Sequence, residues 1–289
     1  MTTQKINART LITDLLLASE GKVISIKELI LAAKLFGLSE NGIRVAVTRL
    51  ASEGVIVAAE RGVYQLSDQS HEWANVMLNR SAKGLKETKE WNQHYLCVFT
   101  GMLGRVDRTA LKRRERALKH FGFRELEQGV FIRPDNLVLT LEEILPQMKS
   151  VGLEPEAKMC YISSFDQVTE TKIKALWSTE TLNKNYEKYS HIIQHWLTRL
   201  PALGLEDAAR ESLLLGRQTI SLLMNDPLLP ETFVNVEARN QFAHDVKKLD
   251  EVGQLLWQQL HELTFGTTAS NLSSIDFPTV KNITSTIHS

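Results

Sequence analysis

The order of segments at the N-terminus constrains the fold more than any other feature of the chain. Three short segments with apolar residues at helical spacing are followed at once by the β-type runs VIVAA and VYQLS, which ERG joins. Ser25 with Glu28 has the spacing of a capping box at the start of the second segment. Ser39 precedes the third segment, and Gly54 ends it. This order predicts a winged helix-turn-helix, in which the third helix reads DNA and the hairpin is the wing.

The third segment has two different faces. Its apolar face is predicted to be buried and consists of Ile43, Ala46, Val47 and Leu50. The other face carries side chains that match base edges, since Arg pairs with guanine, Asn pairs with adenine, and Thr or Val methyl groups contact thymine. The predicted DNA-binding residues, including one in the wing turn, are Ser39, Asn41, Arg44, Val45, Thr48, Arg49 and Arg61. The alternative is a solvated helix in an ordinary helical bundle.

The rest of the chain predicts two further regions. From Trp91 the patterns follow the order β-α-β-β-α-β, which is typical of a ferredoxin-like domain. Three long amphipathic segments then predict helices near 179–200, 206–224 and 237–263. We therefore expect an α+β multidomain protein. Its predicted parts are a winged helix domain at 1–68, a helical linker at 69–90, a ferredoxin-like domain at 91–175, an all-helical domain at 176–265 and a flexible tail at 266–289.

Charge is distributed unevenly along the chain. The net charge is zero, but residues 1–121 carry 19 Lys and Arg against 12 Asp and Glu, and residues 122–289 carry 15 against 22. This asymmetry suggests that the first part of the chain meets a polyanion. No apolar run approaches the ~20 residues of a membrane span, and the polar N-terminus has no apolar signal region, so we expect a cytoplasmic protein. Cys97 and Cys160 stand in apolar stretches and are expected to be buried thiols rather than a disulfide framework or a zinc site.

A basic stripe is predicted on the helix near residues 106–121. At helical spacing, five cations share one side of this helix: Arg105, Arg108, Lys112, Arg116 and Lys119. Arg113 and His120 are expected at the edge of the stripe, whereas Arg114 points to the apolar side and should pair internally. Like charges one turn apart repel each other by a few tenths of a kcal/mol, and an anionic partner would remove that cost. The candidates are DNA phosphates, the phosphates of a nucleotide-bearing ligand and the acidic C-terminal region; a solvated basic face is the alternative.

One pattern suggests an enzyme instead. Glu187, His191 and His195 recur at every fourth residue, and two histidines at that spacing can bind a metal. The metalloprotease motif needs Glu directly after the first His, where this chain has Ile192. The chain has no phosphate-binding glycine loop, dinucleotide fingerprint or G-x-S-x-G motif, so we expect neither a cofactor nor catalysis. A metal-dependent nuclease or hydrolase, using the central domain or this histidine face, is the alternative function.

The chain resembles the PaaX family of bacterial repressors of phenylacetic acid degradation over roughly residues 10–235. The resemblance rests on RVAVTRL with EGV in the third helix, YQLS in the wing, GF at 122–123, GVFIRP at 129–134 and, most specifically, DPLLP at 226–230. It implies a dimeric, non-enzymatic repressor that binds a palindromic operator through its winged helix and has a ferredoxin-like middle domain. It assigns operator contacts to Arg44, Thr48 and Arg49.

The resemblance also implies an effector. Repressors of this family are released by phenylacetyl-coenzyme A, and we assign effector binding to the basic stripe, that is, to Arg105, Arg108, Lys112, Arg116 and Lys119. After DPLLP the family usually continues with Leu-Pro and Trp-x-Gly, whereas this chain reads ETFVNVEARNQF. Two alternatives therefore stay open: a different acyl-coenzyme A as the effector, or no effector.

Overall fold

The computed structural model describes residues 6–19, 23–68 and 87–266, and it shows an α+β protein. The chain forms two compact units. The first unit consists of Met1–Ala74, His191–Thr219 and His244–Ser289, and the second consists of Asn75–Ser190 and Ile220–Ala243. Residues 69–86 of the predicted linker and residues 267–289 of the predicted tail lie outside the described residues.

The N-terminal part of the first unit contains three helices and a small sheet. Its elements are α1 (Ala8–Ala18), β1 (Ile24–Ser25), α2 (Ile26–Leu35), α3 (Glu40–Ser52), β2 (Ile56–Glu60) and β3 (Val63–Leu66). The antiparallel sheet has the order β1-β3-β2, and its short β1 was not predicted because two residues show no alternation. Gly62 in the turn between β2 and β3 has φ 78°, a left-handed conformation that glycine adopts without strain.

The predicted helix ends are confirmed here. The Ser25 hydroxyl accepts from the backbone N–H of Glu28 at 3.2 Å, and the Glu28 carboxylate accepts from the Ser25 N–H at 2.6 Å. These two bonds form the predicted capping box of α2. The Ser39 hydroxyl accepts from the Gly42 N–H at 3.1 Å and so caps α3.

Three long helices form the C-terminal region, as predicted. They are α7 (Thr179–Arg199), α8 (Leu205–Met224) and α9 (Val236–Phe265). Each contributes residues to both units, so the stretch predicted as one helical domain is divided between them. Within the first unit, Arg217 of α8 lies 3.3 Å from the Asp14 carboxylate of α1. Burial raises the pKa of Asp14 to about 6, although the Arg217 charge opposes this. His261 of α9 lies 2.9 Å from Glu28.

The second unit is built on a four-stranded antiparallel sheet. Its elements are β4 (Tyr95–Phe99), α4 (Arg108–His120), β5 (Arg124–Glu127), β6 (Val130–Pro134), α5 (Leu141–Ser150), β7 (Lys158–Ile162) and α6 (Gln167–Ala175). The strand order is β5-β6-β4-β7. The first six elements follow the predicted β-α-β-β-α-β sequence, and Pro146 lies inside α5 as expected.

Two details of the second unit differ from the expectations. Helix α6 was not predicted; its signal was weak because only Ile173 is buried in it, although Asp166 caps its N-terminus. The last residues of the predicted helical linker, 87–90, are not helical. Instead Thr88 forms an isolated antiparallel bridge with Leu137, and the Lys89 N–H donates to the Asn136 carbonyl at 2.8 Å.

The DPLLP segment is a structural part of the second unit. Leu228 belongs to the same buried cluster as Leu96 and Phe121, and it has φ 54°, which is rare for leucine. Its N–H donates to the Asp226 carboxylate at 2.7 Å, and its carbonyl accepts from Asn136 Nδ2 at 2.7 Å. These bonds hold the strained backbone in place.

Other buried polar side chains form hydrogen bonds with the same two residues, Asp226 and Asn136. The Tyr186 hydroxyl donates to the Asp226 carboxylate at 2.6 Å, and burial next to that carboxylate raises the pKa of Tyr186. The guanidinium of Arg133, fully buried, donates to the Phe121 carbonyl and to Asn136 Oδ1. The motifs GVFIRP and DPLLP are therefore joined through Asn136, which bonds to Arg133 of the first and to Leu228 of the second.

Among the described residues, no helix combines the length and apolar character that crossing a lipid bilayer requires.

Candidate nucleic-acid interface

Helix α3 presents the predicted polar face to solvent. Ile43, Val47 and Leu50 are buried in the first unit, so the orientation of the helix is fixed. Side chains on its other side are exposed, namely Asn41, Arg44, Val45, Thr48, Arg49 and Ser52. Val45 is 42% exposed, which leaves its methyl groups available for contact.

Arg44 has a partner that sequence analysis did not assign. The Glu40 carboxylate accepts from Arg44 Nη2 at 2.6 Å and from Arg44 Nε at 3.0 Å. Both side chains are more than half exposed, and such an i,i+4 pair contributes only about 0.3–0.5 kcal/mol. A phosphate or a guanine therefore competes easily for Arg44. The signal was present in the sequence as a Glu four residues before an Arg.

The other two predicted arginines have no ion-pair partner among the described residues. Arg49 on α3 and Arg61 in the turn between β2 and β3 are exposed, and neither forms an ion pair with any residue that the structure describes. Positive charges with no carboxylate within reach favour an anionic partner. Strand β2 is exposed from Val57 to Glu60, and Arg61 follows it directly in the sequence.

Two hydroxyls on α3 already make local bonds. The Thr48 hydroxyl donates to the Arg44 carbonyl at 3.0 Å, and the Ser52 hydroxyl donates to the Arg49 carbonyl at 2.8 Å. Each oxygen keeps lone pairs that can accept from a base, and the Thr48 methyl group points away from its hydroxyl. Ser39 acts as the helix cap, so the structure gives its side chain a structural role beside its predicted DNA contact.

The basic stripe lies on α4 in the second unit. All five of its predicted members, Arg105, Arg108, Lys112, Arg116 and Lys119, are exposed. None of them forms an ion pair with a residue in the described part of the chain. Four of them lie along α4 itself, where the rise from Arg108 to Lys119 is about 16 Å. Along α4, Arg108, Lys112, Arg116 and Lys119 thus form a row of exposed cations without an ion-pair partner among the described residues.

Its neighbours on α4 have internal partners. Arg114 is buried and donates to Glu154 through Nη2 at 2.6 Å and through Nε at 3.0 Å, which confirms the predicted internal pairing. Partial burial is the largest single effect and raises the pKa of Glu154, but the hydrogen bond and charge of Arg114, a backbone hydrogen bond and the charge of Arg113 together bring it below its usual range. His120 was expected at the edge of the stripe, and this was wrong. It is buried because its ring packs edge-on against Phe121 at the end of the helix.

Arg105 differs from the rest of the stripe. It precedes α4 and lines an open depression of about 420 Å³ together with Glu125, Leu126, Glu127 and Gln128. Two carboxylates near Arg105 make this depression mixed in charge, so Arg105 is a weaker anion site than Arg108, Lys112 and Arg116. Asp107, next to the stripe, caps α4: backbone hydrogen bonds from Ala110 and Thr109 lower its pKa.

The histidine face of α7 does not form a metal site. Glu187, His191 and His195 are exposed on one helix. Over the residues described by the structure, no group of three or more His, Cys, Asp or Glu side chains could hold a metal ion. The helical spacing brings these side chains to one solvent-exposed face. Among the described residues, no further metal-binding side chain lies beside them. The geometry gives no support to the metal-dependent alternative.

Comparisons with known proteins agree with the N-terminal part of this description. The family described as PaaX-like protein matches residues 7–70, which include α1 to β3. No curated protein matches the chain significantly. A solved structure, the uncharacterized protein Rv0674 from Mycobacterium tuberculosis, is 23% identical, with a TM-score of 0.46 over 86% of this chain and 99% of that one. That TM-score is too low for a conclusion about fold or function.

Proposed function

From the match of residues 7–70 to the PaaX-like family, we propose that the protein belongs to that family and is a sequence-specific DNA-binding transcriptional repressor. Its operator belongs to a catabolic operon of the aromatic or phenylacetate type, and an acyl-coenzyme A thioester such as phenylacetyl-coenzyme A releases it. A repressor of bacterial genes acts in the cytoplasm, so the proposal includes that location. The protein has no catalytic role in this proposal.

The exposed face of α3 is the observation that carries the proposal. Three helices, with a β2–β3 hairpin after α3 and β1 between α1 and α2 joining its sheet, suit a winged helix-turn-helix. Helix α3 is then the recognition helix, and the β2–β3 turn is the tip of the wing. Asn41, Arg44, Val45, Thr48 and Arg49 then enter the major groove, and Arg61 contacts the backbone or the minor groove. Every one of these side chains is exposed, as this role requires.

In the second unit we infer a ferredoxin-like sensor domain. The order β5-β6-β4-β7 with α4 and α5 as crossovers is the arrangement that this fold has. The uncompensated charges of Arg108, Lys112 and Arg116 are suited to the phosphates of a coenzyme A thioester. Arg105 and Lys119 complete the proposed effector site at its two ends.

We also propose a homodimer that binds a palindromic operator. Leu255 and Leu263 of α9 are 44% and 74% exposed, and an interface between two copies would cover such side chains. A two-fold dimer reads half-sites about one helical turn of DNA apart or a multiple of it. Light scattering of the free protein and of its complex tests this proposal, and a monomer in both states would contradict it.

Selection from a pool of random duplexes tests the function directly. Repeated rounds of binding should enrich one inverted repeat, and the Arg44→Ala, Arg49→Ala double variant, with an unchanged circular dichroism spectrum, should enrich none. A screen of acyl-coenzyme A thioesters by thermal shift then identifies the effector, because a ligand at 100 times its Kd adds about 2.7 kcal/mol of stability. Incubation of labelled duplex with divalent cations is the control, and strand scission there would favour the enzymatic alternative.

A further inference from the structure

The two cysteines of the chain lie directly opposite each other. Cys97 in β4 and Cys160 in β7 are register partners on adjacent antiparallel strands, although they are far apart in the sequence. Both are free thiols; Cys97 is fully buried, and Cys160, on the edge strand of the sheet, is partly exposed. The expectation of two unrelated buried thiols therefore misses their proximity.

Their positions suit a covalent bond between the strands. Directly opposite residues of an antiparallel pair have Cα atoms about 4.5 or 5.5 Å apart and side chains on the same face of the sheet. Both distances fall within the range of about 4.4–6.8 Å that disulfides adopt. The two Cβ atoms, about 4.5–5.5 Å apart in such pairs, need to approach to about 3.8 Å. A small movement of the edge strand β7 supplies this shift, and rotation about χ1 then brings the two sulfurs together.

We propose that Cys97 and Cys160 form a redox modification site, at which a low-molecular-weight disulfide converts the two thiols into a cross-strand disulfide between β4 and β7. The exposed partner reacts first: the Cys160 thiolate attacks one sulfur of the small disulfide, forms a mixed disulfide and releases one small thiol. Cys97 then loses its proton to solvent and attacks the Cys160 sulfur. This second step forms the Cys97–Cys160 bond and releases the second small thiol. The protein loses two electrons and two protons, and the small disulfide gains them.

Burial makes the second step slow. It raises the pKa of the Cys97 thiol to about 12, with a smaller contribution from the neighbouring Cys160. Since only the thiolate attacks, Cys97 reacts slowly near neutral pH. The mixed disulfide at Cys160 is therefore an intermediate that accumulates before the internal bond forms.

Oxidised glutathione is the probe that tests this site. The full-length protein is incubated with it, quenched with N-ethylmaleimide and analysed by mass spectrometry. The wild type should pass through a single glutathione adduct and end lighter than the reduced protein by two hydrogen atoms, with a peptide cross-link between β4 and β7. Cys97→Ala should stop at the adduct on Cys160. Cys160→Ala should take no glutathione, since Cys97 is covered.

Thermal melting provides a second readout. The oxidised wild type should melt at a higher temperature than the reduced protein, because the bond closes a long loop. Each alanine variant should melt at one temperature with or without the probe, and its cooperative transition shows that it is folded. A wild type that keeps glutathione on Cys160 without the internal bond, that links to a second copy through Cys160, or that stays unmodified overturns the proposal.

Discussion

The Glu40 carboxylate accepts two hydrogen bonds from the Arg44 guanidinium one helical turn later, at 2.6 and 3.0 Å, on the exposed face of α3. In free protein this pair orients Arg44 along the helix. On DNA the same carboxylate would stand close to phosphates and repel them. In the proposed complex, Glu40 would therefore compete with DNA for Arg44.

Replacing each member of this pair should have opposite effects on DNA affinity. Arg44→Ala should weaken operator binding by about 1–3 kcal/mol if Arg44 reads a guanine. Glu40→Gln should tighten it by up to about fivefold, because an exposed pair contributes at most about 1 kcal/mol. Titrations followed by fluorescence anisotropy measure both. Glu53→Gln is the control and should change affinity less. It removes a carboxylate that follows the C-terminal end of α3 and pairs with Arg9. Unchanged affinity in both variants of the pair would count against a DNA contact at Arg44.

Val45 should contact the methyl group of a thymine. Replacing single thymines of the operator by deoxyuridine removes that methyl group and keeps every hydrogen bond. One such replacement should weaken wild-type binding about fourfold, since a buried CH₂-sized group contributes about 0.8 kcal/mol. Val45→Ala should bind both duplexes equally. If the variant remains as sensitive to deoxyuridine as the wild type, Val45 does not read that base.

The basic stripe should respond to one of two anionic partners. We expect the triple variant Arg108→Gln, Lys112→Gln, Arg116→Gln to bind operator with an unchanged salt dependence and to lose release by the thioester. If these residues contact DNA instead, the slope of log K against log salt should fall by about 0.9 for each lost phosphate contact. A triple change of the exposed residues Lys174, Lys184 and Lys247 to Gln is the charge-matched control. If neither property changes, the stripe is only a solvated surface.

The ion pair of Arg114 and Glu154 should stabilise the second unit. Glu154→Gln leaves a buried guanidinium beside a neutral amide. Breaking a buried pair costs about 3–5 kcal/mol, and the retained amide oxygen reduces the expected loss to about 2–3 kcal/mol. Denaturant unfolding measures it, with the exposed Glu156→Gln as control.

The same pair predicts a pH dependence. Because the folded protein lowers the pKa of Glu154 below its ordinary value of 4.5, the pair stabilises the fold above that pH. This stabilisation is lost as the pH falls through the lowered pKa. The difference in unfolding free energy between wild type and Glu154→Gln should therefore be largest near pH 7 and shrink below pH 4. A difference that does not depend on pH would show that the charge of Glu154 contributes nothing.

Local patterns explain what could be predicted from the sequence. The Ser25–Glu28 capping box, the buried stripe of α3 and the inward direction of Arg114 all follow from helical spacing within a few residues. Features that depend on distant contacts could not be predicted. The proximity of Cys97 and Cys160 depends on strand order, and the burial of His120 depends on how the end of α4 packs.

The candidate site also has some features that local spacing predicts and others that it does not. The exposure of Asn41, Thr48 and Arg49 follows from the period of the helix once its buried side is known. The sequence places Glu40 four residues before Arg44, a spacing that allows an ion pair. Exposed charges at that spacing can equally remain solvated, so the spacing alone does not predict whether the pair forms. The short helix α6 has too few buried residues for its periodicity to predict it.

The affinity ratio between the selected operator and a shuffled duplex of equal length, measured at about 150 mM salt, tests the central claim most directly. Sequence-specific DNA-binding proteins bind their site about 10³–10⁷ times more tightly than other DNA, and we expect a ratio in that range for the wild type. Arg49→Ala should lower the ratio and leave affinity for the shuffled duplex nearly unchanged if Arg49 reads a base. Equal affinity of the wild type for both duplexes would contradict the assignment of α3 as a recognition helix.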